Sequence, residues 1–190
     1  MLRGVWEEYQ AWRPGWARSI WEMSVEMSKR TISVGGYVFA LGLATAVLCE
    51  VTNRAGVLIP AAIPVALIPI VGLHFLRPDE ELAGWVFFTV ALGGTYLAGG
   101  APFEAAGALG IAILAGLGAW RWPWILAATW FGHILWDFVP RELPERMLDV
   151  PTACILFDGL IGAYLAWGVY RRRWLSFGGR PQTGTTSPVP

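Results

Sequence analysis

Residues 123–140 read PWILAATWFGHILWDFVP. In this run only His133 and Asp137 are ionisable; the rest is aliphatic, aromatic, small or proline apart from Thr129. A helix on the surface of a soluble core would carry a polar face, and this one does not. Its length suits a bilayer, which takes about 20 mostly apolar residues to cross. A second such block, VPTACILFDGLIGAYLAWGVY, occupies 150–170 and holds a single acid, Asp158. Working outward, comparable blocks lie at 32–52, 56–76, 82–100 and 102–119. The chain is 55% hydrophobic and 15% charged over 190 residues, above ordinary globular usage. The expected fold is therefore all-α: a polytopic membrane protein of about six transmembrane helices.

The zero net charge conceals an asymmetry. Arg3, Arg13, Arg18, Lys29 and Arg30 precede the first block, and Arg171, Arg172, Arg173 and Arg180 follow the last. Six spans place both ends on one side, together with Arg77 and Arg121, so that eleven of fourteen cations share it. Arg54, Arg141 and Arg146 fall on the other. The positive-inside rule then puts both termini in the cytoplasm of a multi-pass inner-membrane protein. The basic residues hug membrane edges, so the expected partner is the lipid bilayer and not nucleic acid.

Three regions are expected. Residues 1–31 form a cytoplasmic, interfacial amphipathic helix over 4–28, with Trp12, Trp16 and Ile20 at helical spacing and a break at Pro14. This surface anchor also offers residues 1–28 as a dock for a membrane protein partner. Residues 32–170 form the six-helix domain, the first span being an uncleaved anchor. Residues 171–190 form a basic and then disordered cytoplasmic tail. Pro60, Pro64 and Pro69 predict a kinked second span. The glycines Gly93, Gly94, Gly99, Gly100, Gly107 and Gly110 predict close packing of spans 3 and 4. Cys49 and Cys154 both fall within spans, and two cysteines alone fix no disulfide geometry.

Ionisable residues inside a span are costly and mark sites. Glu50, His74, Glu104, His133, Asp137 and Asp158 qualify, while the remaining carboxylates are assigned to loops and the surface helix. His133 lies seven residues before Pro140 and Asp158 eight after Val150, so in an antiparallel hairpin the two share a depth of roughly 10–12 Å. Asp137 and Cys154 share a shallower level, which predicts a two-layer patch. The acids gather in the outer half. His74 sits near the opposite face from His133, which argues against a bis-histidine haem.

The run GGTYLAGG at 93–100, Glu104, His133-x-x-Trp136-Asp137 and Pro151-Thr152-x-Cys154-x-x-x-Asp158 resembles a family of short bacterial membrane proteins known only as a domain of unknown function. The likeness covers roughly residues 85–168, and its most specific piece is H-x-x-W-D followed by C-x-x-x-D. Family members often carry further histidines after the Trp-Asp pair; this chain has Phe138-Val139-Pro140-Arg141 there. The resemblance implies a membrane fold and points to the same residues, without an activity.

Four readings follow. In the first, His133 bonds Asp158 across the hairpin as a structural polar network or binding site that fixes helix register. In the second, His133, Asp137 and Asp158 hold zinc, with Glu104 as general base, in a membrane-embedded hydrolase of lipid-like amides or esters. Such a site resembles intramembrane ceramidase-type hydrolases, which carry more histidines. No Gly-x-Ser-x-Gly elbow appears, which argues against serine hydrolase chemistry. In the third, the His/Asp pair belongs to a proton-coupled transporter or relay. In the fourth, the chain is an accessory subunit of a membrane complex.

Overall fold

The structure, a computed structural model, describes residues 15–97, 102–138, 145 and 148–174. Among them six α-helices and no strands occur: α1 (Gly15–Arg54), α2 (Leu58–His74), α3 (Pro78–Leu97), α4 (Pro102–Trp120), α5 (Trp124–Asp137) and α6 (Val150–Tyr170). Each apolar block of the sequence thus becomes a helix. The outer turn at Gly99-Gly100, most of the loop after Pro140, residues 1–14 with Pro14, and the tail from 175 onward lie outside the described residues.

The chain divides into two units, residues 1–39 and 40–190. The described part of the first is the opening of α1. That helix runs on without a break between the expected interfacial segment and the first span. In the second unit, α5 pairs with α6, α3 with α4, and α2 with α6, while α4 also meets α5. Leu58 and Ala62 of α2 share a core with Ala153 near the start of α6. At the other end His74 of α2 meets Tyr164 of α6. These two helices therefore run parallel.

Glycine sets two of these geometries. A Cβ at Gly93 would lie 3.1 Å from the Ala108 carbonyl, so α3 and α4 approach backbone to backbone there. The expectation for Gly94, Gly107 and Gly110 does not hold, since a Cβ at any of them meets nothing within 4 Å. Gly56, at φ +68°, ends α1: its N–H bonds the Asn53 carbonyl and the Val57 N–H bonds the Thr52 carbonyl, both at 3.0 Å. This bond pair needs a left-handed residue, which glycine supplies without strain. α2 continues as helix through Pro64 and Pro69, whose missing N–H groups leave the carbonyls of Pro60 and Val65 without their helical donors.

The helices carry much of their apolar surface outward. Ile32, Phe39, Leu43, Leu109, Trp120 and Leu135 are all exposed, whereas Thr45, Glu81, Thr89, Thr129, His133 and Asp158 are buried. The buried threonines return their hydroxyls to their own helices, Thr45 to Leu41 O at 2.9 Å, and Thr89 to Trp85 O and Thr129 to Ile125 O at 2.8 Å. Two helical stretches, Glu26–Arg54 and Val150–Tyr170, are long and apolar enough to cross a membrane; Leu58–His74 and Ala105–Trp120 are shorter apolar helices. α5 has 14 residues, a rise of about 21 Å. That is less than the ~30 Å hydrocarbon core, and shorter than the block read from sequence.

Candidate functional site

The last hairpin builds the site. His133 faces inward from α5 and its Nδ1 is hydrogen-bonded to Oδ2 of Asp158 on α6. The equal depth inferred from residue spacing is thus realised as direct contact. Asp137 follows His133 by one helical turn, and a helical side chain leans back toward the preceding turn. Its Oδ2 lies 3.9 Å from His133 Nδ1, with side chains only 7% and 3% exposed. Asp158 is 1% exposed. The donor atoms of His133, Asp137 and Asp158 all lie within 4.8 Å of one another. Asp137 therefore joins His133, on its own helix, in one group with Asp158.

Glu50 and His74 fall elsewhere. Glu50 does not join this group: it pairs with Arg54 at 2.6 Å on the exposed side of α1. Cys49 and Cys154 form no disulfide with each other, and each is partly buried. Glu104 lies in the first turn of α4, and its side chain is outside the described residues. His74 takes no part; its Nδ1 lies 2.8 Å from the Tyr164 hydroxyl.

A second polar group, at the opposite end of α6, escaped the sequence reading. Glu81, assigned above to a loop, is fully buried. Its Oε1 accepts from the Tyr164 hydroxyl at 2.5 Å, and its Oε2 accepts from Arg173 Nε at 2.5 Å and Trp174 Nε1 at 3.1 Å. Arg173 also donates to the His74 carbonyl at 2.8 Å. Hydrogen-bond accounting assigns every proton here. A carboxylate paired with arginine only accepts, so Tyr164 donates to Glu81 and offers its lone pairs to His74. His74 must then carry a proton on Nδ1. The signal for Glu81 was its helical spacing to Trp85 and Thr89, one and two turns on, both buried.

Between the two polar ends the core is aromatic. Trp130 on α5 donates from Nε1 to the Thr89 hydroxyl on α3 at 3.1 Å. Trp85 packs on Tyr164 with ring centroids 5.6 Å apart. The two groups thus stand apart, an imidazole with two carboxylates near one end of α6 and a saturated Glu–Arg–Tyr network at the other.

Fold and site together define an all-helical protein with a buried imidazole–dicarboxylate group in its last hairpin. Comparison with protein families, with curated proteins and with solved structures finds no match to the chain.

Proposed function

We propose that the chain is a polytopic inner-membrane protein with both termini cytoplasmic, and that His133, Asp137 and Asp158 form a binding site for a divalent transition-metal ion. Support for the membrane reading comes from the outward apolar surface, the inward polar residues and the parallel run of α2 and α6. The short α5 would cross with help from flanking residues or a locally thinned bilayer. The resemblance carried by H-x-x-W-D and C-x-x-x-D leads to the same residues.

The observation that carries the metal reading is the convergence of three ligating side chains, from adjacent helices, into one buried group. Two carboxylates in their ionised form would outweigh one imidazolium, and burying that excess charge would be costly. A divalent cation balances it. Imidazole with two carboxylates suits zinc, manganese or ferrous iron. Ligand bonds of about 2.0–2.2 Å require His133 and Asp158 to part slightly around the ion. A bound ion would supply Lewis acidity or an activated water. The chain itself supplies the dry surroundings and the fixed imidazole.

Elemental analysis of the detergent-purified protein tests this, with Asp137→Asn beside the wild type. Asp137 is the member to change, because its loss leaves the His133–Asp158 hydrogen bond in place. Stoichiometric metal in the wild type, lost in a variant that keeps its unfolding temperature, is the expected result. No metal after dialysis against zinc, manganese and ferrous salts sinks the reading, and the group is then a proton-sharing structural network. Topology is tested by impermeant thiol labelling in intact cells. Cys49 and Cys154 lie toward the outer side in this reading, and reporter fusions at either terminus should be cytoplasmic.

A further inference from the structure

α6 ends in three consecutive arginines, and they do different things. Arg173 is committed to Glu81 and the His74 carbonyl. Arg171 and Arg172 are exposed, and among the described residues their side chains make no hydrogen bond or ion pair. Arg172 holds φ 51°. It occupies the left-handed position of a helix-ending bond pair, with its N–H on the Val169 carbonyl and the Arg173 N–H on the Gly168 carbonyl, each at 2.9 Å. After α1 the same position is filled by Gly56. Arginine is strained there, as any residue with a Cβ is. A cation thus stands where glycine would relieve strain, and local strain of this kind invites a functional reading.

The surroundings say what that cation meets. Trp167 and Tyr170 are exposed, by 48% and 83%. Trp167, Tyr170 and Arg171 stand at i, i+3 and i+4, on one side of the helix. Amphipathic aromatics beside guanidinium groups at a helix end suit the membrane–water boundary. Guanidinium binds phosphate through paired N–H donors.

We propose that Arg171 and Arg172 bind the phosphate of an anionic phospholipid headgroup, with Trp167 and Tyr170 lying against the lipid below it. The inference rests on the membrane embedding proposed above. A purely electrostatic role for the two cations, complementing the helix dipole, is the competing account. It predicts that Arg172→Gly loses stability and leaves lipid binding alone. The headgroup site predicts the reverse, because glycine relieves the strain and removes the phosphate ligand.

The test is native mass spectrometry of the full chain in detergent, titrated with phosphatidylglycerol, phosphatidylcholine or inorganic phosphate. Wild type should retain phosphatidylglycerol over phosphatidylcholine, by about fivefold for each arginine engaged. Arg172→Gly should lose part of that preference and unfold at an equal or higher temperature. Arg171→Gln with Arg172→Gly should lose it entirely. Equal retention of both lipids by wild type, an unchanged preference in the double variant, or competition by inorganic phosphate at similar concentration overturns the proposal. Alkaline carbonate extraction of membranes separates the two failures. A chain that washes off removes the embedding and this inference together; a chain that stays but shows no lipid preference removes this inference alone.

Discussion

Arg173 joins Glu81 through Nε and Oε2 at 2.5 Å, and the same guanidinium closes on the His74 carbonyl at 2.8 Å. One side chain beyond α6 thereby holds the end of α2 and the start of α3. The arrangement also suits the helix dipoles, with a cation at the negative end of α2 and a carboxylate at the positive end of α3. Residues 171–174, read from sequence as the opening of a tail, are therefore part of the packed domain.

Arg173→Ala should be among the most damaging single changes. It leaves the fully buried Glu81 without its cation, a loss of about 3–5 kcal/mol for a buried pair. Arg173→Lys should recover only part, because an ammonium does not reproduce the fork that reaches both Glu81 and His74 O. Thermal unfolding in detergent checks both, and Arg173→Ala combined with Glu81→Gln should be milder than Arg173→Ala alone. Equal losses in the single and the double variant would show that the charge is not what matters.

The hairpin pair makes a parallel prediction. His133 and Asp158 are both buried and bonded to each other. Asp158→Asn and His133→Ala should each cost about 3 kcal/mol, and a double-mutant cycle should return strong coupling. Asp137→Asn should cost less, because it leaves the His133–Asp158 hydrogen bond in place. If all three changes cost the same, the pair is no more important to the fold than its neighbour.

The all-helical class and the His133–Asp158 contact were legible because both follow from spacing. Apolar block length fixes helices, and equal distances from a shared turn fix depth. That Asp137 also stands beside His133 was not legible from depth, which follows Cα positions, while a helical side chain leans one turn back. Glu81 was missed for a different reason. A glutamate in the run Arg77-Pro78-Asp79-Glu80-Glu81 reads as loop, and only the fold of residues 171–174 onto it supplies the arginine and tryptophan that make burial tolerable. Partners ninety residues away in sequence leave no local periodicity to read.

Gly168 is the floor on which Trp174 lies. A Cβ added there would sit 2.4 Å from the indole, and Trp174 is only 5% exposed. Gly168→Ala should therefore push the ring away, break its bond to Glu81 and cost about 1–3 kcal/mol. Trp174→Ala should cost more, about 3–5 kcal/mol, through lost packing. The two together should cost less than their sum, since the alanine methyl meets no ring once the indole is gone. Additive losses would mean that Gly168 matters for helix packing elsewhere.

Gly56 offers the cleanest test of backbone conformation in this fold. Its φ is +68°, yet a Cβ there would meet nothing within 4 Å. Gly56→Ala therefore introduces no clash, and its cost is that of the left-handed backbone alone, about 1–2 kcal/mol. Gly56→Asn should cost less, because asparagine tolerates this region better than alanine. Both are measured by thermal unfolding, with Arg172→Gly as the opposite case. That change places glycine at the equivalent position after α6 and should raise the unfolding temperature. If Gly56→Ala and Gly56→Asn destabilise equally, side-chain tolerance of the left-handed region is not the deciding term, and the turn between α1 and α2 is held by something other than its two backbone bonds.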